Sequence, residues 1–195
     1  IGKGFFANCE SLKSITLPDS LTIIDDYAFY GCHSLFSFVI PKNVKLISKL
    51  ALKDYNNLQK IEVSPENAYY KSVKGALFTK DGKELIRFPS IHPDSSFVIP
   101  DGALIIRDEA FANCLSLKSI TIPDSVTFIG QQVFSNCQSL TSIALPKNLQ
   151  SIGGRAFESC TNIEKFEISS ENQHYQSIEG ILFTKTFDTL LCFPI

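Results

Sequence analysis

The strongest constraint on the fold of this chain is a repeat of 23 residues. Cys9 and Cys32 are 23 positions apart, and Cys114, Cys137 and Cys160 follow the same spacing. Each of these cysteines has a phenylalanine three positions before it and a leucine or isoleucine three positions after it. A period of this length indicates a repeat protein, in which each unit buries its apolar edge against its neighbours.

A longer period of 105 residues is superimposed on the short one. The segment Ser11–Thr16 recurs unchanged as Ser116–Thr121. One unit in each long period is longer by 13 residues, and this insert is kept in both copies. The sequence therefore predicts a single solenoid over residues 1–195, with a first module of about residues 1–90 and a second of about 91–195.

Each unit contains a short segment with the alternation of a β-strand. Ile15 and Leu17 are expected to face the core, while Ser14 and Thr16 face outward, and Pro18 ends the strand because it cannot donate a hydrogen bond. We predict a mainly β, right-handed solenoid with a curved parallel sheet and short helical or 3-10 turns on the convex side. Seven strands are expected, around residues 12–17, 35–40, 58–63, 94–99, 117–122, 140–145 and 163–168.

The insert of the first module has the pattern of a β-hairpin. Residues 75–79 and 84–88 flank Lys80-Asp-Gly-Lys83, and Asp-Gly is a strong signal for a two-residue turn. In the second copy Thr186-Phe187 replaces the Asp-Gly pair, so that turn lacks the glycine. Two β-hairpin inserts are predicted.

The composition is that of a folded protein, with 44% hydrophobic and 19% charged residues. A net charge of −2 gives no electrostatic reason to expect nucleic acid as a partner. No apolar run approaches the roughly 20 residues that span a bilayer, so we expect no direct membrane insertion by this segment. The first residues contain no hydrophobic region of a signal peptide. Ile1 falls at the repeat position of Ile24, in the middle of a unit, so we expect a piece of a longer array.

Residues with catalytic or metal-binding potential do not form a recognisable site. The cysteines read as free core thiols, although neighbours in adjacent coils could approach disulfide distance. His33, His92 and His174 occupy unrelated repeat positions, and no Cys-x-x-Cys completes a zinc site. The segment His92–Ser96 contains the residue types of a catalytic triad, but it reads as a loop before a strand. We expect no catalytic residue, metal or cofactor; an unrecognised hydrolase is a remote alternative.

The repeat units closely resemble the BspA-like, treponemal-type leucine-rich repeats. The resemblance rests on the Pro-Asp-Ser, Ala-Phe and Asn-Cys-x-Ser-Leu elements of residues 11–32 and 116–137, and on the inserts at 72–82 and 177–185. It covers essentially the whole chain. It implies an extracellular or cell-surface protein whose partners are host matrix proteins or other cell-surface proteins, and it implies no active site.

The predicted function is protein binding or adhesion, with a passive spacer that presents another domain as the alternative. Repetition of the outward strand positions builds two exposed rows across the sheet, and most of their side chains are small. The candidate binding residues on this concave face are Ser14, Thr16, Ser37, Val39, Lys60, Glu62, Ser119, Thr121, Ser142, Lys165 and Glu167.

Overall fold

The computed structural model describes residues 1–53, 56–186 and 189–192. The chain divides into two compact units, Ile1–His92 and Pro93–Ile195, which are considered separately. Every regular element of the described residues is a β-strand, so the mainly β prediction is confirmed. That the two modules form one continuous solenoid stays a prediction.

The first unit consists of stacked coils followed by an antiparallel insert. Two parallel strand pairs join neighbouring coils, β1 with β3 and β2 with β4, and the insert is the three-stranded antiparallel sheet β5–β6–β7. The strands are β1 (Ile23–Ile24), β2 (Ser37–Ile40), β3 (Leu46–Ile47), β4 (Lys60–Val63), β5 (Tyr70–Val73), β6 (Ala76–Thr79) and β7 (Glu84–Arg87).

The second unit repeats this plan with one more coil. Strands β8 and β10, and strands β12 and β14, form parallel pairs, while β9, β11 and β13 form a parallel ladder. The insert is again antiparallel, in the order β15–β16–β17. The strands are β8 (Ser96–Val98), β9 (Ile105–Ile106), β10 (Ser119–Thr121), β11 (Phe128–Ile129), β12 (Ser142–Leu145), β13 (Ser151–Ile152), β14 (Lys165–Ile168), β15 (Tyr175–Ile178), β16 (Ile181–Thr184) and β17 (Leu190–Cys192).

Six of the seven predicted repeat strands are present, and we call β2, β4, β8, β10, β12 and β14 the long strands. The remaining prediction, a strand at residues 12–17, was wrong because this segment forms no strand. The first coil is instead tied to the second through its turn, where Gly4, Phe6 and Asn8 donate to carbonyls of the next coil. Sequence reasoning also missed five two-residue strands, β1, β3, β9, β11 and β13, which we call the short strands.

The prediction of helical or 3-10 turns was wrong for the described residues, which contain neither type of helix. In the turn before Cys114, the amides of Glu109, Phe111 and Asn113 each donate to a carbonyl of the next coil at 2.9 Å. A helix would use those amides internally. Glu109 and Asn113 also have positive φ angles of 56° and 63°, which interrupts any right-handed helix.

Stacked phenylalanine rings form the centre of the coils in each unit. Phe6 and Phe29 stack with ring centroids 5.6 Å apart in the first unit. In the second unit Phe111, Phe134 and Phe157 stack at 5.3 and 5.6 Å. These five rings share one repeat position, which Leu52 takes in the coil after Phe29, so the repeat register itself builds the core.

The inserts are three-stranded sheets rather than the predicted two-stranded hairpins. The predicted pair β6–β7 is confirmed, and β5 adds a strand ahead of it, joined to β6 by Lys74 and Gly75. Both turn residues have positive φ, 48° and 80°, as a type I′ turn requires. In the second insert β15 pairs with β16 as β5 does with β6. Phe187 of the predicted turn lies outside the described residues.

Each insert covers the open edge of the preceding long strand. The Ile61 amide of β4 donates to the Gly75 carbonyl at 2.8 Å, and the Ser72 hydroxyl donates to the Ile61 carbonyl at 2.6 Å. Phe166 of β14 makes the equivalent bonds with Gly180 and Ser177, at 2.9 and 2.6 Å. An exposed strand edge can pair with other chains, and this arrangement removes that opportunity.

Candidate protein-interaction face

The long strands alternate between buried and exposed side chains, which gives each unit an exposed surface, and we use the name strand face for this surface in either unit. In β2 the Phe38 and Ile40 side chains are buried, whereas Val39 is 47% exposed. The same alternation appears in β8, β10, β12 and β14. The strand face comprises the outward residues of the long strands together with Ser14 and Thr16 of the first coil.

Parallel pairing places the predicted site residues side by side within each unit. Ser37 lies opposite Lys60, and Val39 lies opposite Glu62. In the second unit Ser119 and Thr121 pair with Ser96 and Val98, and Ser142 pairs with Lys165. Glu167 lies opposite Ala144. The face is thus built from in-register rows, although β10 and β12 belong to separate sheets.

An ion pair lies at the same repeat position of both units. The Lys60 ammonium is 2.7 Å from a Glu62 carboxylate oxygen, and Lys165 pairs with Glu167 in the same way. The hydrogen bond to Glu167, followed by the attraction of its charge, raises the pKa of Lys165. Both pairs are exposed, so they contribute little to stability but fix the charge pattern beside the insert.

All the predicted site residues are at least partly exposed. Ser37 and Glu62 are half-buried, and the others are exposed. The structure brings Ser37, Val39, Lys60 and Glu62 together in the first unit; Ser14 and Thr16 are exposed but belong to the segment that forms no strand. Whether these residues bind a partner stays a prediction.

Sequence reasoning missed Phe36, which immediately precedes β2 and is 45% exposed. The residues at the same repeat position in the other coils are polar: Lys13, Gln59, Ser95, Lys118, Thr141 and Glu164. A comparison of this position across the coils is the signal that could have found it. An aromatic side chain that interrupts an otherwise polar row is a candidate contact residue.

Three cysteines at the same repeat position form hydrogen bonds between neighbouring coils. Cys32, Cys137 and Cys160 are buried, and each thiol donates to the carbonyl of the phenylalanine in the preceding coil at 3.1, 3.1 and 2.9 Å. Cys114 is also buried, whereas Cys9 is exposed, contrary to the core assignment. Burial, with a smaller contribution from Cys9, raises the pKa of the Cys32 thiol.

The histidines are scattered. His33 and His174 are exposed, and the His92 Nε2 atom lies 2.9 Å from the Lys74 carbonyl oxygen. Within the described part of the chain, no three His, Cys, Asp or Glu side chains lie close enough together to hold a metal ion. The described residues contain no helix long and apolar enough to cross a membrane.

A cavity of about 410 Å³ lies in the second unit, between residues 152–158 and Leu190–Leu191. Its titratable lining residues are Arg155 and Glu158, which pair with each other at 4.0 Å. Its described lining includes no serine, cysteine or histidine that could serve as a nucleophile or base.

Comparison with known proteins agrees with the repeat architecture. The model of the BspA type leucine rich repeat region matches residues 1–92 and 88–190, with six copies of the repeat. Comparison with curated protein sequences found no match.

Several solved structures are similar. A leucine-rich repeat protein from Eubacterium ventriosum ATCC 27560 is 32% identical, with a TM-score of 0.74, over 80% of this chain and 42% of that protein. A leucine rich cell surface protein from Faecalibacterium prausnitzii A2-165 is 27% identical, with a TM-score of 0.68, over 89% of this chain and 58% of that one. The pneumococcal vaccine antigen PcpA shares the fold at 21% identity and a TM-score of 0.65, over 80% of this chain and 51% of PcpA.

This chain thus spans less than two thirds of the length of each of these relatives. The family model covers nearly all of its residues, and the cysteine, phenylalanine and strand positions of both units keep one register. The chain therefore belongs to the BspA-type leucine-rich repeat family.

Proposed function

We propose that this chain is a non-enzymatic protein-binding module of a cell-surface or secreted leucine-rich repeat protein, and that its strand face is the binding surface. The observation that carries the proposal is the set of exposed, in-register rows on paired long strands. Their side chains are mostly small, so a partner can approach the sheet closely. Extended faces of stacked repeats are well suited to protein partners.

We further propose that the partner is a host matrix protein or another cell-surface protein. Support comes from the similar Faecalibacterium prausnitzii chain, which is described as a cell surface protein. The two titratable side chains that line the second-unit cavity, Arg155 and Glu158, pair with each other, which supports a non-enzymatic role. Neither sign of charge dominates the face, because each lysine on it pairs with a glutamate two residues away.

The alternative function is a passive spacer that holds another domain away from a surface. The internally neutralised Lys60–Glu62 and Lys165–Glu167 pairs and the small hydroxyl side chains also suit a face that contacts nothing. The two functions differ in one measurable respect. A spacer tolerates any substitution on the strand face that preserves the fold.

The test is binding of the chain to immobilised fibronectin, laminin and collagen, measured by biolayer interferometry. We expect Thr16→Arg, Thr121→Arg and the charge reversal Lys60→Glu to weaken capture by about tenfold, as loss of a contact residue typically does. Gln131→Arg is the control, because Gln131 is exposed in the turn after β11, away from the long strands.

A second control exchanges the ion pair, Lys60→Glu together with Glu62→Lys, which keeps the pair but inverts its orientation. If binding depends on the arrangement of charge, this variant fails like Lys60→Glu alone. Unchanged capture by all the strand-face variants, with intact circular dichroism spectra, would reject the proposal and favour the spacer.

A further inference from the structure

Each insert turn packs on a long strand and forms a corner with it, once in each unit. A Cβ on Gly75 would lie 3.3 Å from the Lys60 Cβ, and a Cβ on Gly180 would lie 3.0 Å from the Lys165 Cβ. In both turns the residue before the glycine is exposed. We define the first corner as Gln59, Lys60, Glu62 and Lys74, and the second corner as the residues at the same repeat positions, Glu164, Lys165, Glu167 and Glu179.

The two corners differ in charge although they share one backbone arrangement. The ion pair within each corner is neutral. Lys74 therefore leaves the first corner with one positive charge, whereas Glu164 and Glu179 leave the second corner with two negative charges. Within the described ranges, none of these three side chains takes part in an ion pair. The hydrogen bond to Glu167 and the charge of Glu167 raise the pKa of Lys165, and the charge of Glu164 adds to this effect.

The fold does not dictate the charge of either turn. Lys74 and Glu179 have positive φ angles of 48° and 51°. Turns of this type favour Asn, Asp or Gly at such positions, so the backbone requires neither the lysine nor the glutamate. Gln59 and Glu164 each stand directly before a long strand, and both are exposed. Opposite charges at equivalent, exposed positions make the first corner complementary to the second.

We propose that the first corner of one copy of this chain binds the second corner of another copy. Unlike corners attract each other, whereas two first corners or two second corners repel each other, so the charges select one pairing. Small neighbours allow a close approach, because Ser37 lies opposite Lys60 and Ala144 lies opposite Glu167. The contact joins two different surfaces, so it is heterologous and further copies can add in the same way. This self-association is separate from the proposed binding of matrix proteins.

The experiment measures self-association of the full chain by sedimentation velocity at low and high salt. We expect association at about 0.01 M salt, where the Debye length is about 30 Å, and monomers at about 1 M salt, where it is about 3 Å. The double variant Gln59→Glu, Lys74→Glu makes both corners negative and should raise the dissociation constant by about tenfold or more. Glu164→Gln with Glu179→Lys makes both corners positive and should have the same effect.

A mixture of the two double variants should associate again, because negative corners then meet positive ones. Each substitution introduces the residue that the other unit carries at the same position, so we expect both variants to fold. The matched control is Lys45→Glu with Gln131→Glu, which makes the same change in charge at exposed positions outside both corners and should associate like the parent. A parent chain that stays monomeric at low salt would overturn the proposal. So would unchanged association of either corner variant, or a mixture that stays monomeric.

Discussion

The Tyr70 hydroxyl accepts a hydrogen bond from the amide of Ile47 across 3.1 Å, and the Tyr175 hydroxyl does the same for Ile152 across 3.0 Å. Tyr70 falls 23 residues after Ile47, in the place where another coil would continue the short strands. The Ser48 amide already donates back to the preceding coil at Ile24. The tyrosine therefore satisfies the amide on the open side of β3, as the Gly75 carbonyl does for β4.

Tyr70→Phe should destabilise the first unit. The substitution keeps the buried ring and removes the acceptor of a buried amide, which costs about 1–3 kcal/mol. Urea unfolding followed by circular dichroism measures the change in the free energy of unfolding. Tyr69→Phe is the control, because Tyr69 is 51% exposed and should tolerate the change. Equal unfolding midpoints for the two variants would contradict an edge-capping role for Tyr70.

Asn67 is a second residue that satisfies backbone groups at the end of the coil stack. It is fully buried at the repeat position of Val44, where the coil before it has an apolar core residue. Its Nδ2 donates to the Pro41 and Val44 carbonyls at 2.7 and 2.9 Å, and its Oδ1 accepts from the Tyr69 and Tyr70 amides at 2.8 Å each. One side chain thus satisfies four buried or half-buried backbone groups.

Asn67→Leu should destabilise the protein although leucine suits the apolar column. The change leaves two carbonyls and two amides without their partners, so we expect a loss of at least about 2 kcal/mol in the free energy of unfolding. The control is Asn148→Ala, because Asn148 also donates to a carbonyl one coil back, at 2.9 Å from Asp124 O, but is exposed. A more stable Asn67→Leu protein would show that packing outweighs the polar network.

The insert lies close to the long strand at a glycine, and we expect alanine there to destabilise the protein. Gly75 has φ of +80°, and a Cβ there would lie 3.3 Å from the Lys60 Cβ; for Gly180 the φ is +81° and the distance to the Lys165 Cβ is 3.0 Å. Alanine at either position has the cost of positive φ, about 1–2 kcal/mol, and also makes a contact tighter than an ordinary van der Waals contact, which the neighbouring lysine must relieve. The expected order of destabilisation is Gly180→Ala, then Gly75→Ala.

Gly102→Ala separates the two costs, because Gly102 has φ of +88° but nothing within 4 Å of an added Cβ. Gly102→Ala should have only the conformational cost. Its melting temperature should therefore be higher than those of Gly75→Ala and Gly180→Ala. Gly154→Ala, with open space and no positive φ, should match the parent. An identical loss in Gly102→Ala and Gly180→Ala would rule out a contribution from the clash.

The features that the sequence predicted well depend on a regular period. Alternation identified the long strands, and the 23-residue register identified the phenylalanine stack. The short strands were missed because a segment such as Ile23–Ile24 is too short for alternation to appear. The turns were assigned wrongly because the residues with positive φ include Glu109 and Gln132, whose types give no warning of that conformation.

Prediction of the candidate site had the same limits. The outward rows followed from alternation alone, and the structure pairs Ser37 with Lys60 and Val39 with Glu62. Phe36 lies just before the alternating segment and outside β2, so its direction could not be read from a period of two. Its exposed fraction required the packed coil.

The last prediction concerns the thiols. Alkylation of the native protein with iodoacetamide, followed by peptide mapping, should modify Cys9 long before Cys32, Cys114, Cys137 or Cys160, because Cys9 is exposed and the other four are buried. Burial also raises the pKa of Cys32, so its reactive thiolate forms only at higher pH, and its labelling should accelerate as the pH increases. Thiol titration of the unfolded, unreduced protein should find most sulfurs free. Two or more disulfides in that sample, or equal labelling of Cys9 and Cys32 in the native protein, would contradict the core-thiol assignment.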